Sequence, residues 1–384
     1  MRWFVAALLV LAPLHAWAGE NPVVPADAPD PGVLRVGATY TMVTTSGDAP
    51  DAFPIRTSTD LATWTAQGAV FPAGHWPSWA TGNFWAPEIH EVGSKFVCYY
   101  VATNRADGHL CVGAAYAGSP LGPYTDLGHP LVDDPRGGAI DPTELEDTDG
   151  THYLYWKFDG NAQGKPCQIY VLKLGTDGLS LQGDPVSAPS VLTNDQPWEG
   201  KVVEAPEVVK KGGSYYLYYS GNYYGDGSYA LGVARSTSPT GPFTKAPSPV
   251  LVSRGGAWGP GHNSLVSDPA GNDFTVFAAH AGTEAGPREV FVAPIDYVNG
   301  WPVVGNGTAP ASFAPPAPDP GIAPPPRPKP APAPEPAPRP PVPEPVVHRG
   351  GFWDLFRHAL DEIEDAFEDA LRIETRGFLG ALGF

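Results

Sequence analysis

Phe84-Trp85-Ala86-Pro87-Glu88-Ile89 and Val203-Glu204-Ala205-Pro206-Glu207-Val208 are two copies of one pattern, 119 residues apart. The same offset carries Phe96-Val97-Cys98-Tyr99-Tyr100 onto Tyr215-Tyr216-Leu217-Tyr218-Tyr219, and Gly122-Pro123-Tyr124-Thr125 onto Gly241-Pro242-Phe243-Thr244. An ungapped match over about forty positions marks an internal repeat. Looser copies place a polar residue beside Pro or Gly about a dozen residues before a strand-like run. These are Asp30 before Thr39-Tyr40-Thr41-Met42, Asp141 before Tyr153-Leu154-Tyr155-Trp156, and His262 before Phe274-Thr275-Val276-Phe277.

The five anchors therefore stand at residues 30, 85, 141, 204 and 262. Spacings of 55 to 63 residues suit a four-stranded blade with long loops, and five such blades make an all-β five-bladed β-propeller. The short Tyr- and Val-rich runs, broken by Gly, Pro and Asp, show no helical period. A β-sandwich would not require the repeat to keep its register.

Outside this domain the composition changes. Residues 1–18 carry one positive charge at Arg2, an apolar run from Phe4 to Leu11 and the small-residue pattern Ala16-Trp17-Ala18, which reads as a cleaved signal peptide. The apolar run is too short to span a bilayer. The propeller is expected over 19–312, followed by a Pro-rich linker over 313–347. Between Pro315 and Pro345, 17 of 31 residues are proline, a composition that favours an extended spacer. Residues 348–384 form the tail. There Trp353, Phe356, Leu360, Ile363, Phe367 and Leu371 recur at steps of three and four, opposite an acidic face, which predicts an amphipathic α-helix with an unknown partner.

The formal charge is -18, and loss of Arg2 makes it -19, so nucleic acid and anionic lipid are excluded as partners and a neutral substrate fits. Three cysteines are too few for a disulfide scaffold. Cys98 and Cys111 either bridge a hairpin or fill a sheet as small apolar residues, with Cys167 a lone thiol.

In a propeller the first strand of each blade lines the central channel, so Asp30, Trp85, Asp141, Glu204 and His262 should converge at one mouth. Three carboxyl groups in a partly dry pocket cannot all titrate normally. One becomes a proton donor and another stays an ionised base, the division of labour of glycoside hydrolysis. Glu88 and Glu207 occupy equivalent repeat positions, which points to a recurrent structural bond; Glu204 has Trp85 as its counterpart and is the better candidate acid. Trp85 reads as a sugar-stacking face or as a plug in the channel wall. His262 is open to three roles: core residue, substrate contact or ion ligand.

The ordered motifs Asp30-Pro31, Phe84-Trp85-Ala86-Pro87-Glu88, Ile140-Asp141-Pro142, Val203-Glu204-Ala205-Pro206-Glu207 and Gly261-His262-Asn263-Ser264 resemble those of family 43 glycoside hydrolases. The likeness spans about Pro29 to Val304. It implies a propeller enzyme that inverts the anomeric carbon, with Asp30 as general base, Asp141 tuning and orienting the acid, and Glu204 as general acid. It further implies a channel ion, often calcium, beside His262, and an Arg288 that reaches the pocket; no organic cofactor is expected. The substrate class implied is a plant-type polysaccharide or oligosaccharide, acted on outside the cytoplasm. The stretch from Trp198-Glu199-Gly200 through Ser220-Gly221-Asn222-Tyr223 is most similar to arabinan-active members, so arabinofuranosyl substrates are favoured over xylosides and galactans. Two further alternatives are a glycan-binding propeller without catalysis and a retaining enzyme of the related fructan-cleaving propellers.

Overall fold

The computed structural model describes residues 19–283 and 286–305. The expected signal peptide, linker and tail helix, together with residues 306–312 of the expected propeller domain, lie outside them.

Five four-stranded antiparallel sheets follow one another along the chain, each in simple sequential order. Blade 1 comprises β1 (Gly32–Val36), β2 (Thr39–Val43), β3 (Ala52–Ser58) and β4 (Thr65–Phe71). Blade 2 comprises β5 (Trp85–Val92), β6 (Lys95–Thr103), β7 (Leu110–Ala117) and β8 (Thr125–Asp126). Blade 3 has β9 (Ala139–Glu146), β10 (His152–Phe158), β11 (Gln168–Lys173) and β12 (Ser190–Thr193). Blade 4 has β13 (Val203–Lys211), β14 (Ser214–Gly221), β15 (Ala230–Ser236) and β16 (Thr244–Lys245). Blade 5 has β17 (Ala257–Ser267), β18 (Asp273–Ala281), β19 (Arg288–Val298) and β20 (Trp301–Val304). The start of the chain closes the ring: Val23 N donates to Val290 O at 2.8 Å, and Asn21 bonds both backbone groups of Val292.

The strand runs are apolar on both faces because each blade is sandwiched between two others. Along β14, Tyr215, Leu217 and Tyr219 pack with Tyr155 and Val171 of blade 3, whereas Tyr216 and Tyr218 pack with Ile295 and Trp301 of blade 5. The other three seams repeat the arrangement: Ile55 with Tyr100, Tyr99 with Trp156, and Met42 with Val276. Successive side chains of a strand point to opposite faces, so one Tyr-rich run supplies two inter-blade cores.

The cysteine expectation is corrected in one of its two forms. Cys98 on β6 lies opposite Ala115, and Cys111 on β7 lies opposite Ala102, so the two are four strand positions apart, on the order of 13 Å. A disulfide needs Cα atoms within about 7 Å. All three cysteines are free and buried, and Cys98 and Cys111 fill the seam between blades 1 and 2.

The repeat phase needs a second correction. At the head of each inner strand one non-glycine residue has a left-handed backbone: Asp30, Ala86, Asp141, Ala205 and His262, with φ between 45° and 56°. In blades 2 to 5 this residue lies in a break in the pairing register with the second strand. Asp30, Asp141 and His262 are therefore equivalent to Ala86 and Ala205, one position past Trp85 and Glu204. The Pro or Gly neighbours used to align the blades tolerate a slip of one residue, and the backbone conformation does not.

Two positions further on lies a second ring: Gly32, Glu88, Thr143, Glu207 and Ser264. Here the inner strands of blades 1 and 2 approach so closely that a Cβ on Gly32 would collide with the Pro87 carbonyl oxygen and lie 2.9 Å from Glu88 Cα.

Candidate active site

At the mouth formed by the heads of the inner strands is a cavity of about 530 Å³. Asp30, Trp85, Asp141, Glu204, His262 and Arg288 all line it, so the structure brings the six sequence-selected residues together. Trp85 and Glu204 stand one position before the left-handed residue of their strands, and both line the mouth. Glu207 does not. It lines a separate cavity of about 310 Å³ with Glu88, His90 and Glu144.

Asp30 is buried and triply held. Thr45 Oγ1 donates to its Oδ2 at 2.6 Å, Arg288 Nη1 donates to its Oδ1 at 2.8 Å, and His262 Nδ1 lies 3.2 Å from that same oxygen. Burial pushes the carboxyl up, but the charges of His262 and Arg288 and the two hydrogen bonds outweigh it, leaving it below its ordinary value. Arg288 keeps Nε and Nη2 buried without a protein hydrogen-bond partner, so three of its N–H groups are unused.

Asp141 accepts from the Ala205 N–H at 2.9 Å. Burial, with the added repulsion of Glu204 and Asp30, carries it up to about 6 despite the opposing charges of His262 and Lys157. Glu204 moves the other way. Burial raises it, but Lys157 Nζ at 2.8 Å from Oε2 and the Tyr229 hydroxyl at 2.7 Å from Oε1 bring it below its usual value. The charge of Glu204 thus adds to the upward push on Asp141, while Glu204 itself is held down. That differs from the simple expectation of a proton on Glu204, and the cause is Lys157.

Lys157, Thr45 and Tyr229 were not singled out in the sequence. Lys157 carried a signal: a lysine ending the apolar run Tyr153-Leu154-Tyr155-Trp156, almost wholly buried and therefore in need of a carboxylate. It has two, Glu204 and Asp159 at 3.1 Å. Thr45 and Tyr229 carried none, since their partners are distant in sequence.

Trp85 is part of the channel wall and also lines the cavity. It packs against Ala86, Val101 and Ile140 beside Leu110, and it presents part of its surface to the cavity. Glu207 is a scaffold group: Thr143 Oγ1 and the Leu265 N–H each donate to it at 2.9 Å. Burial and the nearby Glu88 push it well above its usual value.

Among the described residues, no set of three or more His, Cys or carboxylate ligands gathers around His262. Its Nδ1 faces Asp30, whose charge Arg288 already meets. Among the described residues, the His and carboxylate atoms that converge within 4.8 Å belong instead to Asp107, His109 and Asp133, two of them exposed.

A family model, Glycosyl hydrolases family 43, matches residues 19–302. The chain is 32% identical over 271 residues to the Beta-D-galactofuranosidase xynD of Aspergillus niger, covering 67% of this chain and 74% of that protein. It is 27% identical over 307 residues to an extracellular exo-alpha-(1->5)-L-arabinofuranosidase of Streptomyces avermitilis, covering 72% of this chain and 62% of that protein. A crystal structure of a thermostable family-43 glycoside hydrolase superposes with a TM-score of 0.70 at 32% identity, covering 77% of this chain and 98% of that one.

Proposed function

The chain belongs to glycosyl hydrolase family 43, and from that premise we propose that it is an exported, inverting hydrolase of arabinofuranosyl linkages in plant-type polysaccharides. One observation carries the chemistry: Asp30, fixed by Arg288 and Thr45, shares one cavity with two further buried carboxyls, Asp141 and Glu204.

Asp30 takes a proton from a water molecule, whose oxygen attacks the anomeric carbon. The glycosidic C–O bond breaks, and the leaving oxygen receives the proton held by the Asp141–Glu204 pair. Glu204 delivers it, because its side chain reaches the cavity surface while Asp141 is tied to the Ala205 N–H. Asp141 keeps a proton available to Glu204, and Tyr229 fixes the direction of the Glu204 carboxyl. The unused N–H groups of Arg288 suit a sugar hydroxyl.

The arabinofuranosyl assignment is supported by the sequence stretch through Tyr223 and by the name of the Streptomyces avermitilis relative. Export is supported by the pattern of residues 1–18 and by the same relative, which is named extracellular. A β-D-galactofuranoside is the second reading, because the 32% identical relative is named for it. The test is hydrolysis of arabinan, arabinoxylan, and synthetic arabinofuranosides, galactofuranosides and xylosides, with NMR of the first-formed anomer. Inverted arabinose is expected. Cleavage of xylosides alone would overturn the substrate, and a retained anomer would overturn the mechanism.

A further inference from the structure

Among the described residues, the large aromatic rings are buried or half-buried except for two. Tyr223 and Tyr224 are 55% and 51% exposed, and both line the catalytic cavity. They sit on the loop between β14 and β15, directly after the strand in which Ser220 pairs with Glu204. Exposed rings normally wander among rotamers, but these are held. The Tyr223 ring lies over Gly225, where a Cβ would come within 2.7 Å of Cε1, and its centroid is 5.2 Å from that of Tyr224. The Tyr224 ring carries the Arg288 guanidinium at 5.4 Å, and its backbone carbonyl is 3.3 Å from His280 Nε2. A continuous path therefore runs from Asp30 through Arg288 and Tyr224 out to Tyr223.

We infer that Tyr223 and Tyr224 form a stacking platform for the sugar on the leaving-group side of the cleaved bond. The inference rests on the hydrolase reading and deepens it. The platform shares blade 4 with Glu204, the group that protonates the leaving oxygen, so the departing sugar lies on that side. Rigid aromatic faces of this kind bind through buried area at little entropic cost, which suits the apolar C–H face of a neutral sugar.

The test compares wild type, Tyr223→Ala and Tyr223→Phe on an arabinofuranosyl fluoride and on α-1,5-linked arabino-oligosaccharides. Fluoride is too small to touch the platform. Tyr223→Ala is expected to lose about tenfold in kcat/KM on the oligosaccharides, mostly through KM, and to match wild type on the fluoride. Tyr223→Phe keeps the face and should stay within about twofold of wild type. An equal loss on both substrates, or no loss on the oligosaccharides, overturns the platform while the hydrolase reading stands. Wild-type protein that cleaves neither substrate overturns both.

Discussion

Glu204→Gln and Glu207→Gln separate chemistry from scaffold, because the two carboxyls are three residues apart on one strand yet line different cavities. Glutamine at 204 keeps the shape and the acceptor for Tyr229, but it cannot give a proton to the leaving oxygen. An alkyl glycoside should lose at least about 100-fold, roughly 2.7 kcal/mol of transition-state stabilisation, whereas a nitrophenyl glycoside should lose far less. The same change removes an anion 2.8 Å from the buried Lys157 ammonium, leaving it Asp159. Breaking a buried pair outright costs about 3–5 kcal/mol, and the remaining partner should hold the loss below that range. Glu207→Gln perturbs two hydrogen bonds of 2.9 Å, at a cost of about 1–3 kcal/mol, or a fall of roughly 2–10 °C in Tm for a domain of this size. Turnover per folded molecule should be unchanged. The assay is kcat/KM on both glycosides, with thermal unfolding of each variant. Leaving-group-dependent loss in Glu207→Gln, with Glu204→Gln merely melting earlier, would refute the assignment. The same loss confined to Asp141→Asn would move the donor to Asp141.

Asp141, carried up to about 6, holds its proton below that pH and loses it as pH rises through that value, so kcat/KM should fall on the alkaline side of it. Lys157→Met removes the cation that favours ionised Glu204, and a pH–rate profile should show this limb moved to higher pH. Thr45→Val deletes the 2.6 Å hydrogen bond that favours ionised Asp30, so the acid limb should also move up, while Thr45→Ser restores it. Because Thr45 also accepts from the Ala86 N–H, Thr45→Val should lose about 1–3 kcal/mol in denaturant unfolding and Thr45→Ser much less. Gly32→Ala forces a methyl onto the Pro87 carbonyl between two inner strands, and chemical denaturation should show at least about 1–3 kcal/mol lost.

The sequence by itself determined the number of blades, the order of the strands and the inner-strand anchors of the catalytic cavity. These follow from a repeat, and a repeat is local: each blade restates the same alternation, so Phe96 to Tyr100 and Tyr215 to Tyr219 announce the same strand wherever they fall. Asp30, Trp85, Asp141, Glu204 and His262 could be named before their distances were known because ring closure brings the strand heads together, and Arg288 followed from the family resemblance. Only the tertiary structure decided the phase to the residue, since the left-handed backbone at Ala86 and Ala205 leaves no mark on an Ala-Pro pair. It alone separated Cys98 from Cys111, through a cross-strand register that hairpin length does not reveal. It also decided which carboxyl the buried ammonium meets. Lys157 and Glu204 are 47 residues apart, and whether a buried ammonium lies against one carboxylate or its neighbour depends on how two blades meet. Charge acts over a few ångströms through a low-dielectric interior, so the identity of each residue was legible in the chain and its protonation was not.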